Sequence, residues 1–185
     1  MITILGLDQS MTSTGAVILD FIPRMSEQGG GIDNVEDYRI IQTSKGSEDW
    51  VADTLTRSNQ KACELMELIE EYQPRYICIE APSLASKGNA TRTLPMLFGY
   101  LLAKLEPYMT QYNVELITVA PTSLKKFATG RGNASKDEMV LAIADKDPEF
   151  YNILKNMPKS HGRHDLADAF HLAHWALDEK ESIND

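Results

Sequence analysis

The apolar positions of this chain change period several times along its length, and each change marks a predicted element. Residues 2–7 are a short apolar run rich in β-branched side chains, ending in Asp8-Gln9-Ser10, the pattern of a strand running into a polar turn. Residues 14–19 form a second apolar run close enough to hairpin with the first, and 38–43 a third. Between them, 20–37 carries Pro23, three consecutive glycines at 29–31 and several acids, and reads as a loop. From 50 to 72 the apolar residues Leu55, Ala62, Leu65, Met66 and Ile69 recur at helical spacing, and Pro74 stops the run. Residues 75–80 are apolar until a terminal glutamate, which suits a central strand covered on both faces.

A polar loop over 81–91 leads into a helix over 94–112 and a fifth strand over 114–119. Pro121 opens a short helix to about 127, 129–133 is a turn, and Ser135 with Glu138 forms a capping box for the next helix. Residues 146–162, with Pro148, Pro158 and Gly162, read as irregular, and a last helix runs over 163–179. Three strands followed by alternating helices and strands predict an α/β fold: a five-stranded mixed sheet with helices on both faces, in one domain spanning 1–185.

Composition narrows the class. No apolar run approaches the roughly 18 residues of a membrane span, and the N-terminal stretch lacks the basic start and apolar core of a secretory signal. Cys63 and Cys78 both sit in apolar patterns and read as buried free thiols in a reducing cytoplasm. The net charge of −9 argues against indiscriminate nucleic-acid binding, but it is unevenly spread. From 81 to 136 there are seven basic residues (Lys87, Arg92, Lys104, Lys125, Lys126, Arg131, Lys136) against two acidic ones, so this stretch is +5 within an otherwise acidic chain. A basic middle of this kind can face a polyanion.

The candidate chemistry is carboxylate chemistry. Asp8 closes the first strand and Glu80 the fourth, and in open α/β sheets ligands gather beyond the carboxyl ends of strands. Asp165 and Asp168 lie i,i+3 on the last helix, so they are neighbours on one face. Four acids brought together repel unless a cation neutralises them, and hard divalent ions take oxygen ligands. Two such ions roughly 3.5–4 Å apart clamp a phosphodiester displacement. His161 and His164 precede the aspartate pair and are candidate accessory groups for proton handling or phosphate contact, whereas His171 and His174 read as structural.

These segments together resemble the RuvC-type Holliday junction resolvases of the ribonuclease H-like superfamily. ILGLDQSMTSTGAVI is similar to that family's opening strand, aspartate and glycine-containing hairpin, and YICIEAPS to its second acidic strand. APTSLKKFATGRGNASKDEMV is similar, without gaps, to its lysine-bearing region, and HDLADAFHLAHWAL to its C-terminal acidic helix. The resemblance implies a ribonuclease H-like fold, a homodimer, two Mg²⁺ or Mn²⁺ ions per site, and symmetric nicking of four-way DNA junctions. It places the metal ligands on Asp8, Glu80, Asp165 and Asp168, and basic DNA contacts on Lys125 and Lys136. Lys87, Arg92, Lys126 and Arg131 join them as candidate DNA-binding residues from the basic stretch.

Two features depart from the family pattern: the acidic net charge, and a loop over 81–92 with no aromatic side chain, where Leu84 is the nearest apolar candidate for a junction wedge. Both fit a viral or otherwise divergent member. The competing readings are a flap or fork nuclease of the same fold, a ribonuclease H-like domain that binds without cutting, and an actin-type phosphatase or kinase, which would need Gly-rich phosphate loops in a second half. For the dimer, the expected surface is the helix over 94–112. Leu94, Leu97, Leu101, Leu105 and Tyr108 pack one side of it, leaving Met96, Tyr100 and Ala103 on another.

Overall fold

A computed structural model describes residues 1–23, 31–82 and 90–181. Leu84 and Lys87 lie outside the described residues. Strands β1 (Ile2–Asp8), β2 (Ser13–Pro23), β3 (Gly31–Gln42), β4 (Tyr76–Glu80) and β5 (Glu115–Val119) form one sheet in the order β3-β2-β1-β4-β5. β1, β2 and β3 pair antiparallel, while β4 and β5 continue the sheet parallel to β1. The helices are α1 (Trp50–Tyr72), α2 (Ala90–Tyr112), α3 (Pro121–Thr129), α4 (Lys136–Leu141), α5 (Pro148–Asn156) and α6 (Arg163–Glu181), with a single 3₁₀ turn at Lys159–His161. This is the expected mixed five-stranded sheet.

Side-chain alternation along the strands builds two cores. Leu5, Leu7, Ala16, Ile18, Ile77 and Ile79 point to one face, where Leu65 and Ile69 of α1 and Leu97, Leu101 and Leu105 of α2 cover them. Ile4, Leu19 and Cys78 point to the other, against Leu172 and Ala173 of α6. α6 is walled in on nearly every side: Leu166, Phe170, Ala173 and Leu177 are buried as their spacing predicts, and so are Ala167, Ala169, His171, Leu172, His174 and Ala176. Beyond it, α4 and α5 close a third cluster through Val140, Phe150 and Leu154.

Four expectations change. The predicted loop over 20–37 is largely strand, since β2 runs to Pro23 and β3 begins at Gly31. β3 is an edge strand with one face in solvent, so Asp33, Asn34, Glu36 and Asp37 are tolerated, and charge on an edge discourages pairing with another chain. The irregular stretch contains α5: Pro148 starts it at N1, where no amide is needed, and Asp147 caps it by accepting from the Phe150 amide at 2.8 Å. Cys63 is exposed on α1, while Cys78 is buried in β4; both are free thiols. Leu55 is also exposed, because the buried stripe of α1 runs through Thr54, Ser58, Ala62 and Leu65 and passes position 55 by.

The remaining ends follow local rules. Asp49 caps α1 by accepting from the Val51 amide at 2.9 Å, and Gln73 ends it in a left-handed conformation at φ 47°. Ser135 and Glu138 make the capping box predicted for α4.

Candidate functional site

The parity of β1 and β4 decides where the two strand-end acids point. Ile4 and Cys78 face α6, so Asp8 and Glu80, each an even number of residues further on, face α6 as well. Leu7 pairs with Ile79 in the parallel register, which brings the next residues, Asp8 and Glu80, side by side at one end of the sheet. α6 comes down onto this end because two glycines let it. A Cβ on Gly6 would lie 2.0 Å from the Ala169 carbonyl oxygen, and one on Gly15 would lie 2.3 Å from that of Asp165. Gly15 is itself the antiparallel partner of Asp8. The helix backbone therefore rests directly on β1 and β2, and its first turns deliver Asp165 and Asp168 beside Asp8 and Glu80. All four carboxylates are half-buried.

Their mutual field is visible in their proton affinities. Withdrawal from water, followed by repulsion from Asp168, Glu80 and Asp165, holds the Asp8 carboxyl well above the usual carboxylate range. Burial and then Asp168 push Glu80 up to about 7. Burial raises Asp168 to about 6, with Lys136 opposing and Asp165 adding to the rise. Lys136, at the start of α4, lowers all three, and Lys125, on α3, lowers Glu80 and Asp168. These two lysines are the nearby cations of the cluster, but they do not balance four acids.

Among the described residues, no three His, Cys, Asp or Glu side chains are placed as a ready metal-binding group. The four carboxylates share a neighbourhood and a field, not a finished coordination shell. The donor set is nonetheless all oxygen and under-neutralised, which is the chemistry a hard divalent ion takes, with waters and substrate filling its other positions.

Other candidate residues separate. Arg92 stands in the first turn of α2 with its guanidinium 6.0 Å from the Trp50 ring centre. Lys126 is exposed on α3. Arg131 pairs with Glu138 of the capping box, which ties it to the start of α4. His161 is exposed, its ring 3.2 Å from the Ser160 hydroxyl. His164 turns to Asp137, at 3.1 Å, rather than to the aspartates that follow it. Lys159 and Arg163 join the same carboxylate at 2.7 and 3.2 Å, and hydrogen bonds from Lys159 and then His164 hold Asp137 down at about 2. His171 is buried with its Nε2 donating to the Met139 carbonyl at 2.8 Å, and burial depresses it to about 4, in keeping with a structural role.

Sequence reasoning missed Lys61. It is fully buried, donates to the Ile41 carbonyl at 2.6 Å, and is lowered to about 8 chiefly by burial, with Asp165 among the charges acting on it. A lysine on the apolar side of a helical pattern was the available signal.

No family model matches the chain. A crossover junction endodeoxyribonuclease RuvC from Synechococcus is 26% identical over 140 residues, covering 76% of this chain and 81% of that protein. Its counterpart from Rickettsia massiliae is 27% identical over 175 residues, covering 94% and 96%. Among solved structures, Thermus thermophilus RuvC superposes with a TM-score of 0.64 at 19% identity, covering 93% of this chain and 91% of that one. The same protein in complex with Holliday junction substrate gives 0.63 at 18% identity, covering 94% and 91%. The chain is thus similar in sequence, over most of its length, to crossover junction endodeoxyribonucleases RuvC, and it shares the fold of the solved RuvC structures.

Proposed function

We propose that this chain, as one domain over residues 1–185, is a divalent-metal-dependent endodeoxyribonuclease that resolves four-way DNA junctions by paired symmetric nicks. The observation that carries the proposal is the meeting of four carboxylates from β1, β4 and α6, with Asp8, Glu80 and Asp168 raised by burial and by neighbouring carboxylates and with Lys125 and Lys136 beside them. The relatives named above are crossover junction endodeoxyribonucleases, and one structural neighbour is bound to Holliday junction DNA.

Asp8, Glu80, Asp165 and Asp168 would hold two Mg²⁺ or Mn²⁺ ions, whose chemistry when bound is to polarise the phosphodiester and stabilise charge on the attacking and leaving oxygens. The rest belongs to the chain. Gly6 and Gly15 hold α6 at the distance the four ligands need. Lys125 and Lys136 attract a DNA phosphate to the acidic cluster and offset part of its repulsion. Lys126 and Arg92 extend the cationic path. The free thiols of Cys63 and Cys78 fit a reducing cytoplasm, and among the described residues no helix is long and apolar enough to cross a membrane.

A four-way junction has two-fold symmetry and needs two opposed cuts, so one site per chain calls for two chains, most simply a closed dimer. α2 offers the surface. Leu97, Leu101, Leu105 and Tyr108 are buried in the core, while Met96 and Tyr100 are half-buried and Ala103 is exposed.

The test is a cleavage panel of four-way, three-way and flap DNAs in Mg²⁺, with Asp8→Asn as control. The expected result is paired nicks in the four-way junction, none by the variant, and junction affinity retained. Wild-type-like cutting by Asp8→Asn would sink the four-carboxylate reading. Preferential cutting of flaps would move the assignment to a flap or fork nuclease of the same fold.

A further inference from the structure

At the sheet end that carries the carboxylates the molecule has a concavity of about 600 Å³. The turn between β1 and β2 forms one wall, from Ser10 to Thr12, beginning two residues beyond Asp8. The starts of α1 and α2 form the others, and both helices begin at the sheet end that carries Asp8 and Glu80, because each follows a strand that ends there. The cleft thus opens at the same end of the sheet as the acidic cluster, on the side covered by α1 and α2.

The exposed surface of its described lining is mostly apolar. Trp50 is 47% exposed in the first turn of α1, an unusual cost for so large a ring unless something covers it. Met11 and Leu94 add apolar surface, and among the described residues the charged lining groups are Lys45, which pairs with Glu48 at 2.8 Å, Arg57, Arg92 and Asp53. Arg57 is spent on the frame: it donates to the Met11 carbonyl at 2.6 Å and to Asp53 at 3.1 Å, which fixes the turn against α1. Arg92 is exposed and lies over the Trp50 ring.

We infer that this cleft receives a single unstacked base of the DNA substrate, its face against Trp50 and its phosphate at Arg92. The inference rests on the nuclease reading and adds to it a site of structure selection. A bare phosphate would need no apolar lining, and a fully paired duplex offers no free base face. An aromatic ring flanked by an arginine suits a base of any identity, because every base has a π-face. The cleft is within the usual size range of small-ligand sites, roughly 300–1,000 Å³. A base at a branch point costs least to draw out of its stack, so occupation of the cleft favours branched over continuous duplex DNA at the sheet end that carries the carboxylates.

Trp50 and Trp175 are the two tryptophans of the chain. In a Trp175→Phe background Trp50 is therefore the reporter. Titration with a four-way junction in EDTA should quench its fluorescence, and a continuous duplex of equal length should not. Trp50→Ala should weaken junction affinity roughly 5- to 150-fold, the range seen for loss of one base-stacking contact, with an unchanged salt slope since no cation is lost. Trp50→Phe should keep most of the affinity, which separates stacking from any loss of fold. Tight junction binding without quenching, or equal quenching by duplex, overturns the inference and leaves the nuclease standing. Failure of the parent chain to bind or cut any branched DNA overturns both.

Discussion

Neutralising Glu80 should stabilise the metal-free chain in mild alkali, by an amount the site geometry sets. Burial, and after it the charge of Asp168, raises this carboxyl from 4.5 to about 7 in the fold. A raised acid holds its proton more tightly in the folded chain than in the unfolded one. Its contribution to stability is therefore complete below about pH 4.5 and is lost as pH climbs through about 7. Between about pH 5 and pH 8.5 the loss amounts to about 2.5 kcal/mol, at roughly 1.36 kcal/mol per pH unit. For a chain of this size that is roughly 5–10 °C in Tm. Glu80→Gln develops no charge, so its Tm in EDTA should match that of the parent near pH 5 and exceed it by about that margin near pH 8.5. Relief of repulsion on Asp8 and Asp168 adds in the same direction. Thermal melts at the two pH values, with and without 10 mM Mg²⁺, provide the assay. Magnesium should lift the parent at the higher pH and do much less for the variant. A difference that does not widen with pH would mean that Glu80 is solvated like any surface acid, and the field ascribed to the cluster would be wrong.

Other expectations are as direct. Lys125→Ala and Lys136→Ala should each weaken DNA affinity and lower the salt slope by about one counterion, read by anisotropy across a salt series; unchanged slopes in both would mean neither meets a phosphate. Gly15→Ala should drive a methyl into the Asp165 backbone, costing about 1–3 kcal/mol in stability and, where the chain still folds, about a hundredfold in cleavage through displacement of that carboxylate; parental activity would show that the helix can yield. Sedimentation at micromolar concentration should give a dimer of about 41 kDa, twice the chain mass of 20.7 kDa, and a monomer both free and on junction DNA would count against paired nicking.

The parts of the fold readable from sequence are those where one face of an element is dry. β1 and β4 announce themselves as unbroken apolar runs because both their faces are dry, and the inner stripe of α2 because the core selects every third and fourth residue. Reading fails where that selection is absent. The first part of β3 lies at the sheet edge and carries Asp33, Asn34, Glu36 and Asp37, so up to residue 37 its sequence resembles a loop. α5 hides behind Pro148, which breaks a helix only in its interior. α6 is readable through its stripe of Leu166, Phe170, Ala173 and Leu177, but its burial on nearly all sides is not, because that depends on what packs against the faces between. The four carboxylates were legible as strand-end and i,i+3 acids. Their mutual distance was not, because it depends on Gly6 and Gly15, whose meaning emerges only when a helix backbone is laid across them. Lys61 left only one trace, its place on the apolar side of the α1 pattern, because a buried cation differs from a surface one in what surrounds it.

The seating of α6 on two side-chain-free positions also ties the site to the folding transition. The acids of α6 reach those of β1 and β4 only when helix and sheet are in backbone contact, and that contact lies in the most deeply buried layer. The amides of α6 and β1 should therefore exchange with solvent mainly through global unfolding. A chain emerging from synthesis, or one partly unfolded by stress, holds Asp8 and Asp168 far apart and carries no assembled site. For a protein whose proposed activity is to break DNA strands, that cooperativity acts as a safeguard, because the cutting centre exists only in the completed molecule.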